Sequence, residues 1–353
     1  MFDIQSILIY GGLAVLSFFI AKYAERANSN KAVWLLVVLL SLVAGLRAVS
    51  VGIDTKTYNM VFEIVSNGTV KSMYGIEGSF IRICAALLWV WNNSNFLLFV
   101  FAFMSHALIL FRVWQDREYV SFSWAALCYY IVFFAFSLNG IRQFVAVAIV
   151  IYATSFIKKG KYIRFVIATV IAMLFHTSAI IGLLYILFEL IFAKYFDAKR
   201  KLIVYVFVFI GGIVGIAAIS SLVNLYSGYF EKQSSSMGVM MIAKFAMLIL
   251  SFFCIAIPQD KEERYFCLSH RWNYFIGLLL NSLNYIFMYM GRIGLYFYIF
   301  EAIYIGYIFK AKNRSIWSVA YKFVYVLLLL YYLYENVTKG TQGEVPYIFF
   351  WQS

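Results

Sequence analysis

Charged residues and proline are scarce in this chain. Only 13% of its 353 residues are charged and only two are proline, whereas 64% are hydrophobic. A soluble domain carries about 25% charged residues, so this composition excludes an ordinary soluble protein. The short strands of alternating polarity that mark a membrane β-barrel are also lacking. The sequence therefore predicts an all-α, polytopic integral membrane protein.

Patterns for metal binding and disulfide bonding are lacking too. The four cysteines form no CxxC pair and show no Cys/His spacing, so we expect neither a zinc site nor a disulfide framework. The formal net charge is +13, but no basic domain stands apart from the apolar runs, so nucleic acid is not an expected partner. Lys and Arg collected in cytoplasmic loops explain the charge instead.

Apolar runs long enough to cross a bilayer core recur along the whole chain. We predict roughly 12 transmembrane helices in a single domain, residues 1–353, because each run spans about 30 Å as a helix. No basic segment precedes the first run, so we expect a retained first span rather than a cleaved signal peptide. The predicted spans are 4–21, 32–46, 95–113, 121–138, 141–157, 162–175, 177–193, 202–221, 239–257, 273–290, 294–309 and 317–334.

The basic loops predict the orientation of these spans. Loops such as KKGKYIR and AKYFDAKRK carry most of the 29 Lys and Arg residues and fall on one side, which the positive-inside rule assigns to the cytoplasm. Residues 47–94 then form a long outer segment. Within it, residues 80–93 are apolar but short, and a crossing there would turn the later basic loops outward. We therefore predict an interfacial or re-entrant helix at 80–93.

A few cations fall on the outer side, against this rule. Arg47, Arg142 and Arg292 stand at outer ends of predicted spans, and Lys244 lies inside an apolar run. An ionisable group at membrane depth costs about 2.5–3.5 kcal/mol on insertion scales, so it indicates a partner or a site. The alternative is a side chain that reaches out to the headgroups. Because guanidinium suits phosphate oxygens, these residues predict an anionic substrate such as a lipid-linked diphosphate. The remaining outer cations are Lys56, Lys71, Arg82, Lys232 and Lys339.

Polar residues accompany Arg142. Asn139 and Gln143 share with it the i, i+3, i+4 spacing of one helical face, which predicts a polar surface at the outer end of this span. His176 follows in FHTSAII, at an outer turn between two spans. In that position a structural role and an acid–base role are equally compatible with the sequence.

Polar residues also lead up to Arg292. Asn281, Asn284 and Tyr285 lie on one stripe of the preceding apolar run. A lipid-facing helix would not carry two asparagines on one stripe, so these residues either join helices or line a polar cavity. We favour helix contact for Asn281, and a cavity for Asn284 and Tyr285, which approach the outer surface.

Four motifs and the C-terminal stretch give the chain a family resemblance. They are GLRAVSVGIDTKTY, LNGIRQFVAVAIVIYA, FHTSAII and GRIGLYF, in this order, followed by VPYIFFW. In these stretches the chain resembles the EpsG-type bacterial polysaccharide polymerases, which include O-antigen polymerases of the Wzy kind. Residues 65–94 match no pattern that we associate with the family, so Glu77 and Arg82 receive no role from the resemblance.

The resemblance implies a GT-C-like glycosyltransferase in the bacterial inner membrane. Such enzymes join oligosaccharide repeat units carried on undecaprenyl diphosphate at the periplasmic face, where the growing glycan leaves its lipid diphosphate and passes to the acceptor unit. We expect no metal and no other cofactor, because arginines can stabilise the departing diphosphate. The expected partners are membrane lipids, a chain-length regulator and a flippase.

The resemblance also assigns roles to the residues described above. Asp54 or His176 would position or deprotonate the acceptor hydroxyl, and general-base catalysis contributes about 10²–10⁴-fold. The candidates for diphosphate binding are Arg47, Arg142, Lys244 and Arg292. The candidates for sugar binding are Tyr58, Asn139, Gln143, Asn284, Tyr285 and Tyr296. For the tyrosines, anchoring at the membrane interface is the alternative.

Three other functions share some of these features. A flippase for lipid-linked oligosaccharides would need the same cations, but such proteins often show two related halves, and none are evident here. An O-antigen ligase would use the same chemistry on a lipid A core acceptor. A membrane O-acyltransferase would use His176 as its base, but its acyl donor is cytoplasmic, whereas His176 is predicted to face outward.

Overall fold

The computed structural model describes residues 3–68, 75–188, 238–285, 290–311, 315–340 and 342–352. These residues are mostly helical, with one isolated β-bridge and no strand among them. They divide into two compact units, each of which is described by itself. The first unit comprises Met1–Ile180 and Glu301–Ser353, and the second comprises Ile181–Phe300.

Fourteen helices are assigned in the described ranges. They are α1 (Ile4–Ala27), α2 (Asn30–Gly45), α3 (Thr55–Ser66), α4 (Gly78–Val90), α5 (Ser94–Gln115), α6 (Phe122–Asn139), α7 (Ile141–Lys158), α8 (Tyr162–Met173), α9 (Leu184–Phe188), α10 (Val239–Cys254), α11 (Lys261–Ser282), α12 (Met290–Tyr298), α13 (Phe300–Lys310) and α14 (Ile316–Lys339). Short 3₁₀ segments cover Thr177–Leu183, Leu283–Tyr285 and Phe350–Gln352.

Among the described residues, six helical stretches are long and apolar enough to cross a membrane. They are α1, α5, α6, α7, α14 and Met290–Lys310, which comprises α12 and α13. The all-α membrane architecture is therefore confirmed. The predicted span 202–221 and the end of 177–193 lie outside the described residues, so the number of twelve spans stays a prediction.

Capping side chains explain where several helices begin. Ser29 before α2, Asn93 before α5 and Ser315 before α14 each accept a hydrogen bond from the backbone N–H three residues later. This bond satisfies one of the free N–H groups of the first turn. Asp260 caps α11 in the same way. That helix therefore begins at Lys261, well before the predicted start of the span at 273.

The centre of the first unit is built around α5, α6 and α7. α5 packs against α2 and α7, while α1 packs against α6. Gly45 at the end of α2 permits the close approach to α5, because a Cβ there would lie 2.6 Å from the Cβ of Phe99. The apolar window of α6 is 83% buried and that of α14 is 22% buried. α6 is therefore a core helix, whereas α14 has the exposed apolar surface of a lipid-facing helix.

The second unit is held by a close crossing of α11 and α12. A Cβ added to Gly277 would lie 2.1 Å from the backbone N of Tyr298. A Cβ added to Gly294 would lie 2.8 Å from the backbone N of Asn281. Two glycines on facing helices thus let the two backbones meet, and Asn281 lies at this crossing.

The prediction that Asn139 shares a helical face with Arg142 is wrong. α6 ends at Asn139 and α7 begins at Ile141, with Gly140 between them at ψ 54°, outside helical geometry. Asn139 therefore does not lie on the helix that carries Arg142 and Gln143. The Asn-Gly pair is a turn signal, and it outweighs the helical spacing at this point.

Candidate active site

Arg142 lies in the first turn of α7, where Gly140 has interrupted the helix. Its Nη1 forms an ion pair with the Glu77 carboxylate, and its Nη2 donates to the carbonyl of Gly75 at 3.0 Å. The guanidinium carbon lies 5.7 Å from the ring centre of Phe80. Its Nε is buried and meets no acceptor among the residues that the structure describes. The Nε–H of Arg142 is thus the donor that a further anionic group would bind.

Glu77 connects Arg142 to the segment that carries His176. It occupies the N-cap position of α4. One carboxylate oxygen receives the bond from Arg142, and the other accepts the backbone N–H of Thr177 at 3.0 Å. Both oxygens are therefore engaged, and three separate stretches of the chain meet at one carboxylate.

His176 is half-buried beside this carboxylate bridge. Its Nδ1 lies 2.7 Å from the Ser178 hydroxyl and accepts the backbone N–H of Ser178 at 3.2 Å. A ring nitrogen that accepts a backbone N–H carries no proton. The neutral ring then carries its proton on Nε2, which makes that nitrogen a donor. This geometry favours a positioning role for His176 over a role as base.

Tyr58 and Asp54 approach the same place from α3. Tyr58 is buried, and burial raises the pKa of its phenol, while the charge of Arg142 acts in the opposite direction. Asp54 stands at the N-cap of α3 but makes no capping bond with its side chain. Its carboxylate is half-exposed and is close enough to Tyr58 to act on that phenol.

Arg47 is fully enclosed by protein. Its guanidinium donates to the carbonyl of Leu138 at 2.8 Å, to the carbonyl of Ala44 and to the Thr55 hydroxyl at 3.4 Å. Burial lowers its pKa to about 10, so it stays charged at neutral pH. These bonds join the ends of α2 and α6 to the start of α3. They support a structural role for Arg47, and its contact with a diphosphate stays a prediction.

Asn139 and Gln143 also face protein. Asn139 accepts the backbone N–H of Asp54 at 3.2 Å and donates to the carbonyl of Gln342 at 2.9 Å. It therefore holds the loop before α3 against the C-terminal segment. Gln143 is buried in α7, 6% exposed. Sugar binding by these two amides stays a prediction.

The C-terminal segment, residues 342–352, docks on the 46–54 loop. Backbone N–H groups of Ala48 and Gly52 donate to Ile348 and Gly343, at 2.8 and 2.7 Å. Tyr347, 1% exposed, donates from its hydroxyl to the carbonyl of Val43 at 2.7 Å. The first and last of the motifs that carry the family resemblance therefore pack against each other.

Glu344 is a buried carboxylate in this segment. It is 2% exposed, and burial raises its pKa. One oxygen accepts the backbone N–H of Gln342 at 2.7 Å, while the other has no hydrogen-bond partner among the described residues. Tyr10, Tyr130 and Glu344 help to line a cavity of about 20 Å³, which is enough for one water molecule.

The remaining candidates lie in the second unit. Arg292 is exposed on α12. Asn284 accepts the backbone N–H of Gly291, in the first turn of this helix, at 3.1 Å. For Tyr285 only the backbone is described, in the 3₁₀ segment before α12. A polar surface formed by these residues near Arg292 stays a prediction.

Lys244 and Tyr296 are buried in the second unit. The ammonium group of Lys244, 2% exposed, donates to the Tyr298 hydroxyl at 2.5 Å. Tyr296 is 0% exposed, and its carbonyl accepts the hydroxyl of Tyr185. Both side chains contribute to packing in this structure, so their contact with substrate stays a prediction.

A sequence model of the EpsG family matches residues 31–349. The chain belongs to the EpsG family. EpsG is a Wzy-like polysaccharide polymerase family, so the predicted resemblance is confirmed. No curated protein and no solved structure matches the chain significantly.

The EpsG match contains every candidate residue, and it runs through residues 65–94, where no pattern was evident. Glu77 lies in that stretch and was missed. The signal that could have found it is a lone carboxylate directly before an apolar helix, in a segment predicted to share the outer side with Arg142. Among the described residues, no group of three or more His, Cys, Asp or Glu side chains could hold a metal ion.

Proposed function

We propose that this EpsG-family protein is a polysaccharide polymerase of the bacterial inner membrane. It joins oligosaccharide repeat units carried on undecaprenyl diphosphate at the periplasmic face and needs no metal. The observation that carries the proposal is the setting of Arg142. It is an arginine at the predicted outer end of a span, with a buried donor in reserve, beside Tyr58, Glu77 and His176.

The proposed reaction is a substitution at the anomeric carbon of the donor glycan. The acceptor hydroxyl oxygen forms a bond to that carbon while the bond from the carbon to the diphosphate oxygen breaks. The hydroxyl proton passes to Asp54, and the lipid diphosphate leaves with the bonding electrons. His176 donates from Nε2 to an oxygen of the acceptor or the diphosphate. This division follows the tautomer that the Ser178 N–H favours.

Arg142 stabilises the charge that grows on the leaving diphosphate. A fixed donor aimed at a developing anion in a site with little water contributes about 10²–10³ to turnover. Arg292 and Lys244, which lie in the second unit, are further candidates for binding the diphosphate. Arg47 acts indirectly, through the structure of the site, since it holds the ends of α2 and α6 to the start of α3.

The sugars of the two substrates bind to polar and aromatic side chains. Tyr58 is the leading candidate in the first unit, because Arg142 is close enough for its charge to act on this phenol. Asn284, Tyr285 and Tyr296 are the candidates in the second unit. A GT-C-like arrangement of about twelve spans, together with a chain-length regulator and a flippase as partners, completes the proposal.

A glycan ladder tests the function. The gene is deleted, and surface polysaccharide is separated on a gel. We expect long chains to vanish while a single repeat on its carrier remains. Loss of the single repeat as well would refute polymerisation as the missing step and favour the ligase or flippase functions.

Complementation with variants tests the site. Arg142→Gln is expected to lower polymer synthesis at least about 100-fold, and Arg142→Lys is expected to recover only part of it, because lysine lacks the planar fork. Arg82→Gln is the matched control, since Arg82 is an exposed arginine on α4. Normal ladders from Arg142→Gln would refute the proposed role of this residue.

A further inference from the structure

We propose that Glu77 acts as an internal competitor for the phosphate site on Arg142. Its carboxylate pairs with the guanidinium while no substrate is bound, and the substrate diphosphate displaces it. This inference rests on the proposed function, because it takes Arg142 as the group that binds the diphosphate. It assigns to Glu77 the control of affinity at that site.

Arg142 and Glu77 are largely enclosed, with side chains 14% and 15% exposed. A partly buried cation without a counter-ion is costly, so Arg142 needs an anion at all times. Glu77 supplies that anion in this structure. A diphosphate carries more charge and more acceptor oxygens, so it can replace the carboxylate without leaving the cation unpaired.

The pairing is also incomplete, which makes exchange feasible. Only one oxygen of Glu77 contacts the guanidinium, since the other is bound to the Thr177 N–H. The strongest arginine–anion pairs are bidentate, with two parallel N–H bonds. Here Nε meets no acceptor among the described residues. A phosphate group that bonds to Nε and to a terminal nitrogen therefore gains a bond that Glu77 does not make.

Glu77 does not move far when it is displaced. Its position at the N-cap of α4 and its bond to the Thr177 N–H hold it beside the segment that carries His176. The hydroxyl of Ser79, two residues later, donates to the carbonyl of Leu174 at 2.6 Å and ties the same two segments together. The freed carboxylate remains within the site and returns to Arg142 once the diphosphate leaves.

Competition predicts a gain of affinity when the competitor is removed. Glu77→Gln keeps the size of the side chain and a carbonyl oxygen for the Thr177 N–H, but it removes the charge. We expect the variant to bind inorganic diphosphate at least about fivefold more tightly than the wild type, within the usual range of coupling between two ligands. A purely structural role for Glu77 predicts the opposite, a loss of affinity.

The experiment measures binding of inorganic diphosphate to the purified full-length protein in lipid nanodiscs by calorimetry. The set comprises the wild type, Glu77→Gln, Arg142→Gln and the double variant. Glu63→Gln is the matched control, because Glu63 lies in the same outer segment and is exposed. We expect tighter binding only in Glu77→Gln, weak binding in both variants that lack Arg142, and no change in the control.

The outcomes separate the two proposals. If Arg142→Gln weakens binding while Glu77→Gln leaves it unchanged or weaker, the competition is refuted and the role of Arg142 stands. If Arg142→Gln binds like the wild type, or if no variant binds diphosphate, both are refuted. A tighter double variant would show that the gain does not act through Arg142. Should Glu77→Gln lose its fold, Glu77→Asp serves instead, because its shorter carboxylate is expected to weaken the ion pair and give a smaller gain.

Discussion

Tyr347 offers the most direct test of the docking between the C-terminal segment and the 46–54 loop. Its hydroxyl bonds to the Val43 carbonyl at 2.7 Å, and its ring meets that of Tyr10 edge-on at 5.6 Å. Tyr347→Phe removes only the hydrogen bond and leaves a partly buried carbonyl without its partner, which costs about 1–3 kcal/mol or less. Tyr347→Ala also removes the buried ring, and large-to-small changes of this kind cost about 3–5 kcal/mol.

The measurement is thermal unfolding of the detergent-solubilised protein with a thiol-reactive fluorescent dye. Cys84, Cys128 and Cys267 are buried and form no disulfide, so the dye reports their exposure. A loss of 1 kcal/mol shifts the midpoint by about 2–4 °C in a domain of 150–250 residues. We therefore expect Tyr347→Ala to unfold roughly 6 °C or more below the wild type. The expected shift for Tyr347→Phe is smaller.

A matched control shows whether the shift of the unfolding midpoint comes from the docking of residues 342–352. Tyr331 lies on α14 and is 46% exposed, so Tyr331→Ala removes the same side chain from an apolar surface. If Tyr347→Ala and Tyr331→Ala shift the midpoint equally, the docking of residues 342–352 contributes nothing to stability and the reasoning is refuted. A normal midpoint for Tyr347→Ala combined with shorter polymer would place the effect on activity alone.

Two further changes test other parts of the structure. Gly277→Ala is expected to lower the unfolding midpoint strongly, because its methyl group would lie 2.1 Å from the backbone N of Tyr298. Gly11→Ala serves as the neutral control, since the space around Gly11 is open. Equal midpoints for the two variants would contradict the close crossing of α11 and α12. Glu344→Gln is expected to raise the midpoint at pH 8, because the raised pKa means that the buried charge costs stability above the folded-state pKa. That gain is expected to vanish as pH falls through the folded-state pKa to 4.5, the ordinary value for the carboxyl, and a pH-independent gain would contradict this explanation.

The sequence predicts the helical membrane class because the signal is local. Each apolar run specifies a helix through its own composition, and caps such as Ser29 and Asn93 mark the starts within a few residues. The start of α11 was missed, since its first turns are charged and carry no apolar signal, while the Asp260 cap and the acidic first turn specify a helix there.

The partners at the candidate site could not be predicted in this way. Glu77 and Arg142 are 65 residues apart, and the local sequence around either residue does not identify the other as its ion-pair partner. The cations were identified by their conflict with the positive-inside rule, which shows that a charge is unusual but not which group it meets. Arg47 and Arg142 look alike on that criterion. Only the packing separates the first, surrounded by backbone carbonyls, from the second, which keeps a donor in reserve.

The docking of residues 342–352 also has a consequence for biosynthesis. Val43 and Tyr347 are 304 residues apart, so the ribosome makes the loop before α3 long before it makes the segment that covers it. At about 5–20 residues per second, the interval is roughly 15–60 s. During that time the 46–54 loop is without the C-terminal segment that covers it in the finished structure. A nascent chain that stalls before residue 342 therefore exposes a surface of the 46–54 loop that the finished protein covers.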